Sequence, residues 1–259
     1  KISKMKKLIF LILIFTFAAS MLKADDFTDA MLKAKKNLNS AMAGYQEKDL
    51  LKVRGEFERI LQLKQNEWIV NYYLAVCDYF LSFSSMGKGT TDNDKIKKYT
   101  ESGLDIIEKS ISLKDDFADS YVIKLGLSFN RWVYESSKMT DIMAQSTEAQ
   151  KKAEELDASN PRLNLMKGQS AYYTPVNFGG GYDAAVKDLE KSLESFSTRV
   201  EKETYYPDWG KDLTYGYLAL AYKKRNDDGD DAKSKTTYEN GLKEFPDSGF
   251  LKFYIKNNL

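Results

Sequence analysis

The side chains that could carry chemistry in this chain are carboxylates, because its 259 residues include no histidine and one cysteine. The chain therefore lacks the commonest general base, the His-activated nucleophiles and the usual zinc ligand. One thiol cannot form an internal disulfide, so Cys77, which lies in an aromatic segment, is predicted to be a buried core residue. Two facing acids in a cleft could still hydrolyse a glycoside. The Asp and Glu residues are scattered along charge-rich segments, however, which predicts solvated helix faces.

Three short segments resemble ligand loops in composition only. Residues 87–90 read Gly-Lys-Gly-Thr, but a phosphate loop needs a glycine where Ser82 stands and a strand before it. The glycines of Phe178–Gly181 suit a tight approach before a helix, and the alternative is an anion site at that helix N-terminus. The Asp-rich stretch 226–231 lacks the twelve-residue calcium pattern and is expected to be a solvated turn that caps helices. None of the three predicts a cofactor or a metal.

Residues 1–24 have the order of a secretory signal peptide. Four lysines precede an apolar run from Leu8 to Ala19, and small residues follow, so cleavage is expected after Ser20 or Ala24. The run is short for a membrane span, and the alternative is an uncleaved anchor. Removing this segment takes away five lysines and no acid, which leaves residues 25–259 with a net charge of about −4. We therefore expect a periplasmic or secreted domain that does not bind nucleic acid and has no membrane span.

The remaining chain is predicted to be all-α. It is 42% hydrophobic and 30% charged with 4 Pro, and no stretch alternates with a period of two, so no sheet is expected. Helix stops and caps, such as Asp92 before Lys95 and Asn160-Pro161, divide the chain. The expected helices span 27–44, 48–63, 67–83, 95–113, 117–135, 139–157, 161–173, 181–198, 209–225, 231–245 and 247–257. The long connections are 84–93, 174–181 and 198–208. Such loops either have no functional role or contribute to function.

A spacing of small residues recurs along these helices. One helix of each pair carries a small residue after a larger one, as in Leu74-Ala75, Leu125-Gly126, Lys167-Gly168 and Leu218-Ala219. The next helix carries small, large and small residues, as in Gly103/Ile107/Ser110, Ala185/Leu189/Ser192 and Ser234/Tyr238/Gly241, with Pro246 closing the last pair. This pattern resembles the tetratricopeptide repeat (TPR) family. The resemblance implies stacked antiparallel helical hairpins, a TPR-like α-solenoid, with Gly126 and Gly168 where the helices of a pair lie closest.

A second resemblance concerns a secreted bacterial branch of that family. The residues that carry it are Asn160-Pro161, Tyr172-Tyr173-Thr174-Pro175, Phe178-Gly179-Gly180 and Ala184. They are similar to the periplasmic TPR subunit associated with TRAP transporters. This resemblance implies a transporter component as a partner.

The TPR resemblance also implies a binding face, because first helices line the concave side in that family. Counted from the small residue of each first helix, the groove positions are Tyr72, Tyr79, Asn130, Arg162, Gln169, Tyr172, Tyr215 and Lys223. Phe178 is expected to lie over the groove mouth. The alternative is that these rings fill the hairpin core and that Phe178 packs into the seam between hairpins. An aromatic groove with dispersed polar groups suits a peptide or a small organic ligand.

Three functions follow from these observations. The first is an exported, non-enzymatic scaffold that binds a protein or peptide partner through its concave face. The second is a periplasmic solute-binding accessory subunit of a membrane transporter. An internal cavity in the stack would favour this function. The third is an enzyme that uses carboxylates for catalysis. Two acids that face each other in a deep cleft would favour this function.

Overall fold

A computed structural model describes residues 26–44, 46–84, 86–87 and 90–259. The segment predicted to be a signal peptide, residues 1–24, lies outside the described residues. Within the described part, no helix is both long and apolar enough to cross a membrane.

Ten α-helices account for most of the described chain. Their bounds are α1 (26–44), α2 (Glu47–Leu61), α3 (Glu67–Ser84), α4 (Asn93–Leu113), α5 (Ala118–Asn130), α6 (Met139–Asp157), α7 (Pro161–Tyr173), α8 (Tyr182–Thr198), α9 (Lys211–Arg225) and α10 (Asp230–Glu244). Short 3₁₀ turns lie at Arg131–Val133, Ser136–Lys138 and Val176–Phe178, and a π-helical turn spans Phe250–Ile255.

Local chemistry explains where several helices begin. The Asp92 side chain accepts a hydrogen bond from the Lys95 backbone N–H at 3.0 Å, which caps α4. The Asn160 side chain accepts from the backbone N–H groups of Arg162 and Leu163, and Pro161 occupies the first turn of α7. Both starts were predicted from the sequence.

The helices pack as antiparallel hairpins, which confirms the predicted all-α solenoid. The pairs α3–α4, α5–α6, α7–α8 and α9–α10 are in extensive contact, and the first helices α3, α5, α7 and α9 also touch one another in sequence order. Helix α2 packs on α3, and an Asn37–Glu56 hydrogen bond of 2.8 Å joins α1 to α2. Helix α3 is the centre of the stack, because every residue from Ile69 to Ser82 is buried.

Two local predictions were wrong. A two-residue antiparallel ribbon joins α3 to α4, with Met86 opposite Thr91 and Gly87 opposite Thr90, where no strand was expected. Such a short ribbon leaves no alternation to detect in the sequence. Helix α5 ends at Asn130 instead of residue 135, and a 3₁₀ turn follows it.

Gly126 and Gly168 are packing positions, as predicted, but only Gly168 faces the other helix of its own hairpin, because Gly126 faces Tyr79 of the preceding hairpin. A Cβ atom added to Gly126 would lie 2.7 Å from a ring carbon of Tyr79, and one added to Gly168 would overlap Leu189 Cγ. Both approaches are closer than a van der Waals contact. The two glycines therefore set how closely α5 approaches α3 and α7 approaches α8.

Replacing Gly168 with Ala is expected to lower the free energy of unfolding by about 1–3 kcal/mol, because the added methyl group overpacks the contact with Leu189. The matched control is Gly55→Ala in α2, where the nearest atom to an added Cβ is the Arg59 Nη1 at 3.7 Å. That control should stabilise by about 0.4–1 kcal/mol, since it only restricts the unfolded chain. Urea denaturation of both variants measures the difference, and equal stability would contradict the packing.

Candidate functional site

The connection between α8 and α9, residues 199–210, does not take the shortest path between the two helices. We call it the strap. It crosses to α1 and α3: the Lys35 Nζ donates to the Thr204 and Tyr206 carbonyl oxygens at 2.7 and 2.5 Å, and the Tyr73 hydroxyl donates to the Tyr205 carbonyl at 2.8 Å. The strap therefore covers part of the first-helix face that the sequence predicted to be an open groove.

Aromatic rings line the surface on which the strap lies. The Tyr206 ring packs edge-on against Trp68 and Phe117, with centroids 5.8 and 5.4 Å away. Trp209 is 3% exposed, packs edge-on against Phe80, and donates from Nε1 to the Tyr72 hydroxyl at 2.9 Å. Burial raises the pKa of Tyr72 well above its usual range, so this phenol stays neutral.

A buried charge cluster fastens the other edge of the strap. Arg162, 1% exposed, pairs through Nε with the buried Asp119 and donates from Nη1 to the Pro207 carbonyl at 3.0 Å and from Nη2 to Glu201 at 3.0 Å. Arg199 donates to Asp157 at 2.8 Å and to the same Glu201 at 2.5 Å. Each carboxylate has a guanidinium partner, so the cluster holds the strap in place.

The expectation that acids lie on solvated helix faces is wrong for three residues. Asp119 is buried with Arg162, and Asp78 is buried between Arg54 at 2.6 Å and the Ser102 hydroxyl at 2.7 Å. Asp230, in the turn predicted to be solvated, is also buried. The Arg225 hydrogen bond lowers the pKa of Asp230 to about 2. In the described residues no group of three or more acids, Cys or His could hold a metal ion.

A second aromatic feature lies at the C-terminal end of α7. Tyr172 and Tyr173 pack edge-on at 4.9 Å, Tyr172 also contacts Tyr182, and the Tyr173 and Tyr254 hydroxyls are 3.5 Å apart. The Tyr173 ring contacts Tyr217, and Tyr217 in turn contacts the buried Phe250. We call the exposed part the aromatic surface, which consists of Tyr173, Val176, Phe178, Tyr182 and Tyr254.

The aromatic surface is accessible, and none of its members is Asp, Glu, Lys or Arg. Phe178 is 76% exposed and Tyr173 is 58% exposed, so Phe178 does not occupy the seam between hairpins. Burial of part of the Tyr173 ring raises the pKa of its hydroxyl well above its usual range. The phenol is therefore a neutral hydrogen-bond donor and acceptor at physiological pH.

The predicted groove residues separate into five places. Tyr72 and Arg162 are buried beneath the strap. Tyr79 and Asn130 are buried between hairpins, where Tyr79 donates to the Met166 sulfur at 3.4 Å and Asn130 donates to the Ser82 hydroxyl at 2.8 Å.

The other predicted residues retain accessible surface. Gln169 and Tyr172 are half-buried on α7, next to the aromatic surface that includes Phe178. Tyr215 donates to Glu244 at 3.0 Å and lines an open hollow of about 380 Å³ between α8 and α9. Lys223 pairs with Asp231 at 2.8 Å beside another open hollow of about 320 Å³. Gln169 and Tyr172 thus lie on α7, where Tyr172 contacts Tyr173 and Tyr182 of the aromatic surface, and Tyr215 and Lys223 lie elsewhere.

Sequence reasoning missed the destination of the strap and the partners of Arg162. One feature of the sequence did indicate a packed loop. The connection contains Tyr205-Tyr206-Pro207-Asp208-Trp209, and a solvated loop rarely carries three aromatic residues in five positions. Tyr254 and Tyr182 were also missed as surface residues, because only the packing of the last turn on α9 brings Tyr254 to α7.

Comparisons with known proteins bear on the fold. No protein-family model matches the chain, and no curated protein matches it. Among solved structures, the HusA haemophore from Porphyromonas gingivalis is 22% identical, with a TM-score of 0.66 over 78% of this chain and 95% of that one. TTC0263, a thermophilic TPR protein in Thermus thermophilus, is 14% identical, with a TM-score of 0.56 over 87% of this chain and 98% of that one. The chain thus has the fold of a TPR-like helical solenoid.

Proposed function

We propose that this chain is an exported, non-enzymatic helical-repeat protein that binds a protein or peptide partner through the aromatic surface. The observation that carries the proposal is the exposure of Phe178, Tyr173 and their neighbours on one side of the stack. Aromatic residues are enriched in binding surfaces because they offer large contact area and, in tyrosine, a polar atom. Tyr172 and Gln169 extend this surface onto the first-helix face.

The charge and shape of the surface indicate what kind of partner it fits. Tyr173 presents a neutral phenol, and Val176 and Phe178 are apolar. The two hollows on the last hairpins are open, and neither lies at the aromatic surface. A shallow apolar face with hydroxyl groups suits a segment of another polypeptide that brings its own apolar side chains.

The non-enzymatic part of the proposal rests on side-chain chemistry. The chain has no histidine, and the buried acids Asp78, Asp119 and Asp230 are each held by a guanidinium. An acid paired in this way does not serve as a free general base. Export is supported by the order of basic, apolar and small residues in 1–24.

Replacing Phe178 with Ala should weaken partner binding at least tenfold and leave the melting temperature nearly unchanged, because the ring is 76% exposed. Proteins captured from the cell envelope by the wild-type chain provide the partner, and its affinity for each variant is then measured. Val200→Ala, at a strap residue that is 90% exposed, is the matched control and should bind normally. Unchanged binding by Phe178→Ala would end the proposal for this surface.

A second candidate is the carriage of a planar organic molecule, as a solute-binding accessory of a transporter would perform. Two observations favour it: one solved structure of similar fold is a haemophore, and Phe250 and Tyr254 stack with planes 13° apart next to Tyr173. Haemin is the direct probe. A shifted Soret absorbance that titrates to one equivalent and is lost in Tyr254→Ala would favour this function over partner binding.

A further inference from the structure

The strap is bound to the rest of the molecule through its backbone. Four consecutive carbonyl oxygens, those of residues 204–207, each accept a hydrogen bond from a side chain of another element: Lys35 serves the first and third, Tyr73 the second and Arg162 the fourth. Three separate helices therefore hold one short segment that turns at residues 203–206, where the Tyr206 N–H donates to the Glu203 carbonyl at 3.0 Å. Side-chain donors to successive carbonyl oxygens hold a peptide by its backbone.

Two strap side chains add specific anchors to these backbone contacts. Trp209 is buried against Phe80 and Tyr72. Asp208 pairs with the buried Lys35 at 3.2 Å and accepts from Asn39 at 3.2 Å. The surface that receives the strap, which we call the strap slot, consists of Lys35, Trp68, Tyr72, Tyr73, Phe117 and Arg162. It combines a pocket for an indole, a lysine that pairs with a carboxylate, and side-chain donors to backbone carbonyl oxygens.

A connection between α8 and α9 does not need to cross α1 and α3 as the strap does. The Ser192 hydroxyl of α8 and the Thr214 hydroxyl of α9 are 3.0 Å apart, so the two helices already lie side by side near the junction. The corresponding connections between other hairpins are short, at residues 114–117 and 158–160. The additional length of the strap serves the contacts it makes in the slot.

We propose that the strap slot is a binding site for a peptide that carries an aromatic-Pro-Asp-Trp sequence and adopts the same turn before it, and that the strap is its intramolecular occupant. The strap thereby keeps the site closed to a partner segment of the same chemistry. A tethered segment has a high effective concentration, so a competing peptide enters only when the strap has left. This inference is independent of the aromatic surface, which lies at the opposite end of α7.

The test separates the strap from the slot within the full chain. Residues 203–209 are replaced by a Gly/Ser linker of equal length, and a synthetic peptide with the sequence of residues 199–210 is added. We expect the peptide to raise the melting temperature of the linker variant in a saturable way and to leave the wild-type chain unchanged. If the linker variant is unfolded alone, recovery of its helical circular dichroism on peptide addition reports the same binding.

Matched peptides and slot variants define the specificity. A peptide in which Ala replaces the tryptophan should bind at least tenfold more weakly, and Tyr73→Phe in the linker variant should weaken binding about fivefold, the loss of one hydrogen bond. Phe178→Ala in the linker variant should leave peptide binding unchanged. The proposal is overturned if the peptide neither binds nor refolds the linker variant, if a scrambled peptide acts equally, or if the wild-type chain binds it as well.

Discussion

Replacing Arg162 with Met is expected to lower the free energy of unfolding by about 3–5 kcal/mol. Arg162 and Asp119 are 1% exposed and pair with each other, and removing the guanidinium leaves the buried carboxylate with only Arg199, 4.0 Å away, as a cation. The change also removes the donors to the Pro207 carbonyl and to Glu201. Urea denaturation followed by circular dichroism measures the loss.

Two controls separate the buried charge from other effects of the Arg162 change. Lys151→Met removes one member of an exposed pair with Glu155, and its effect should stay within about 0.5 kcal/mol. The double variant Arg162→Met/Asp119→Leu should recover a large part of the loss, because no unpaired buried charge remains. A loss below about 1 kcal/mol in the single variant would show that the cluster does not hold the strap.

Trp209→Ala is expected to lower the free energy of unfolding by a similar amount, about 3–5 kcal/mol, the range for truncating a buried aromatic residue. The indole is 3% exposed and anchors the strap between Phe80 and Tyr72. The strap should then detach more often, so cleavage by trypsin after the exposed Lys202 should become faster. Denaturation and a time course of limited proteolysis measure the two effects.

The matched control for this change is Trp132→Ala, since Trp132 is 46% exposed and packs only partly on Phe129. It should cost clearly less stability and leave the Lys202 cleavage rate unchanged. Trp209→Phe should keep the packing on Phe80 and lose only the hydrogen bond to Tyr72, about 1 kcal/mol. Equal losses for Trp209 and Trp132 would contradict the role given to the indole.

The features predictable from sequence were local ones. Helix starts at Asp92 and Asn160 follow from capping chemistry within a few residues, and Gly126 and Gly168 follow from the close approach of neighbouring helices. Each depends on contacts within one hairpin or between adjacent ones. The repeat pattern encodes such contacts directly, because the same spacing recurs along the chain.

The features that sequence reasoning missed depend on distant contacts. Residues 198–208 were recognised as a long connection, but its destination was not predictable, and Tyr72 and Arg162 were placed on an open groove. The strap instead returns to α1 and α3 and covers both residues. Nothing near Asp119 in the sequence distinguishes it from a solvated acid, since its partner lies 43 positions away. Phe178 remained ambiguous for the same reason, because its exposure depends on how a loop leaves the stack.

The contact between the two ends of the stack changes how the molecule must fold. The Lys35 hydrogen bonds span 169 and 171 residues, and Gly249 lies so close to the end of α1 that a Cβ atom there would overlap the Ala43 carbonyl oxygen. In an open array each repeat depends on its neighbours alone, so folding can begin anywhere and terminal repeats can fray. Here α1 acquires its full set of contacts only after most of the chain has been assembled. Contacts of such high sequence separation slow folding, and they couple α1 to the strap and to the segment after α10, so we expect the array to unfold as a single cooperative unit.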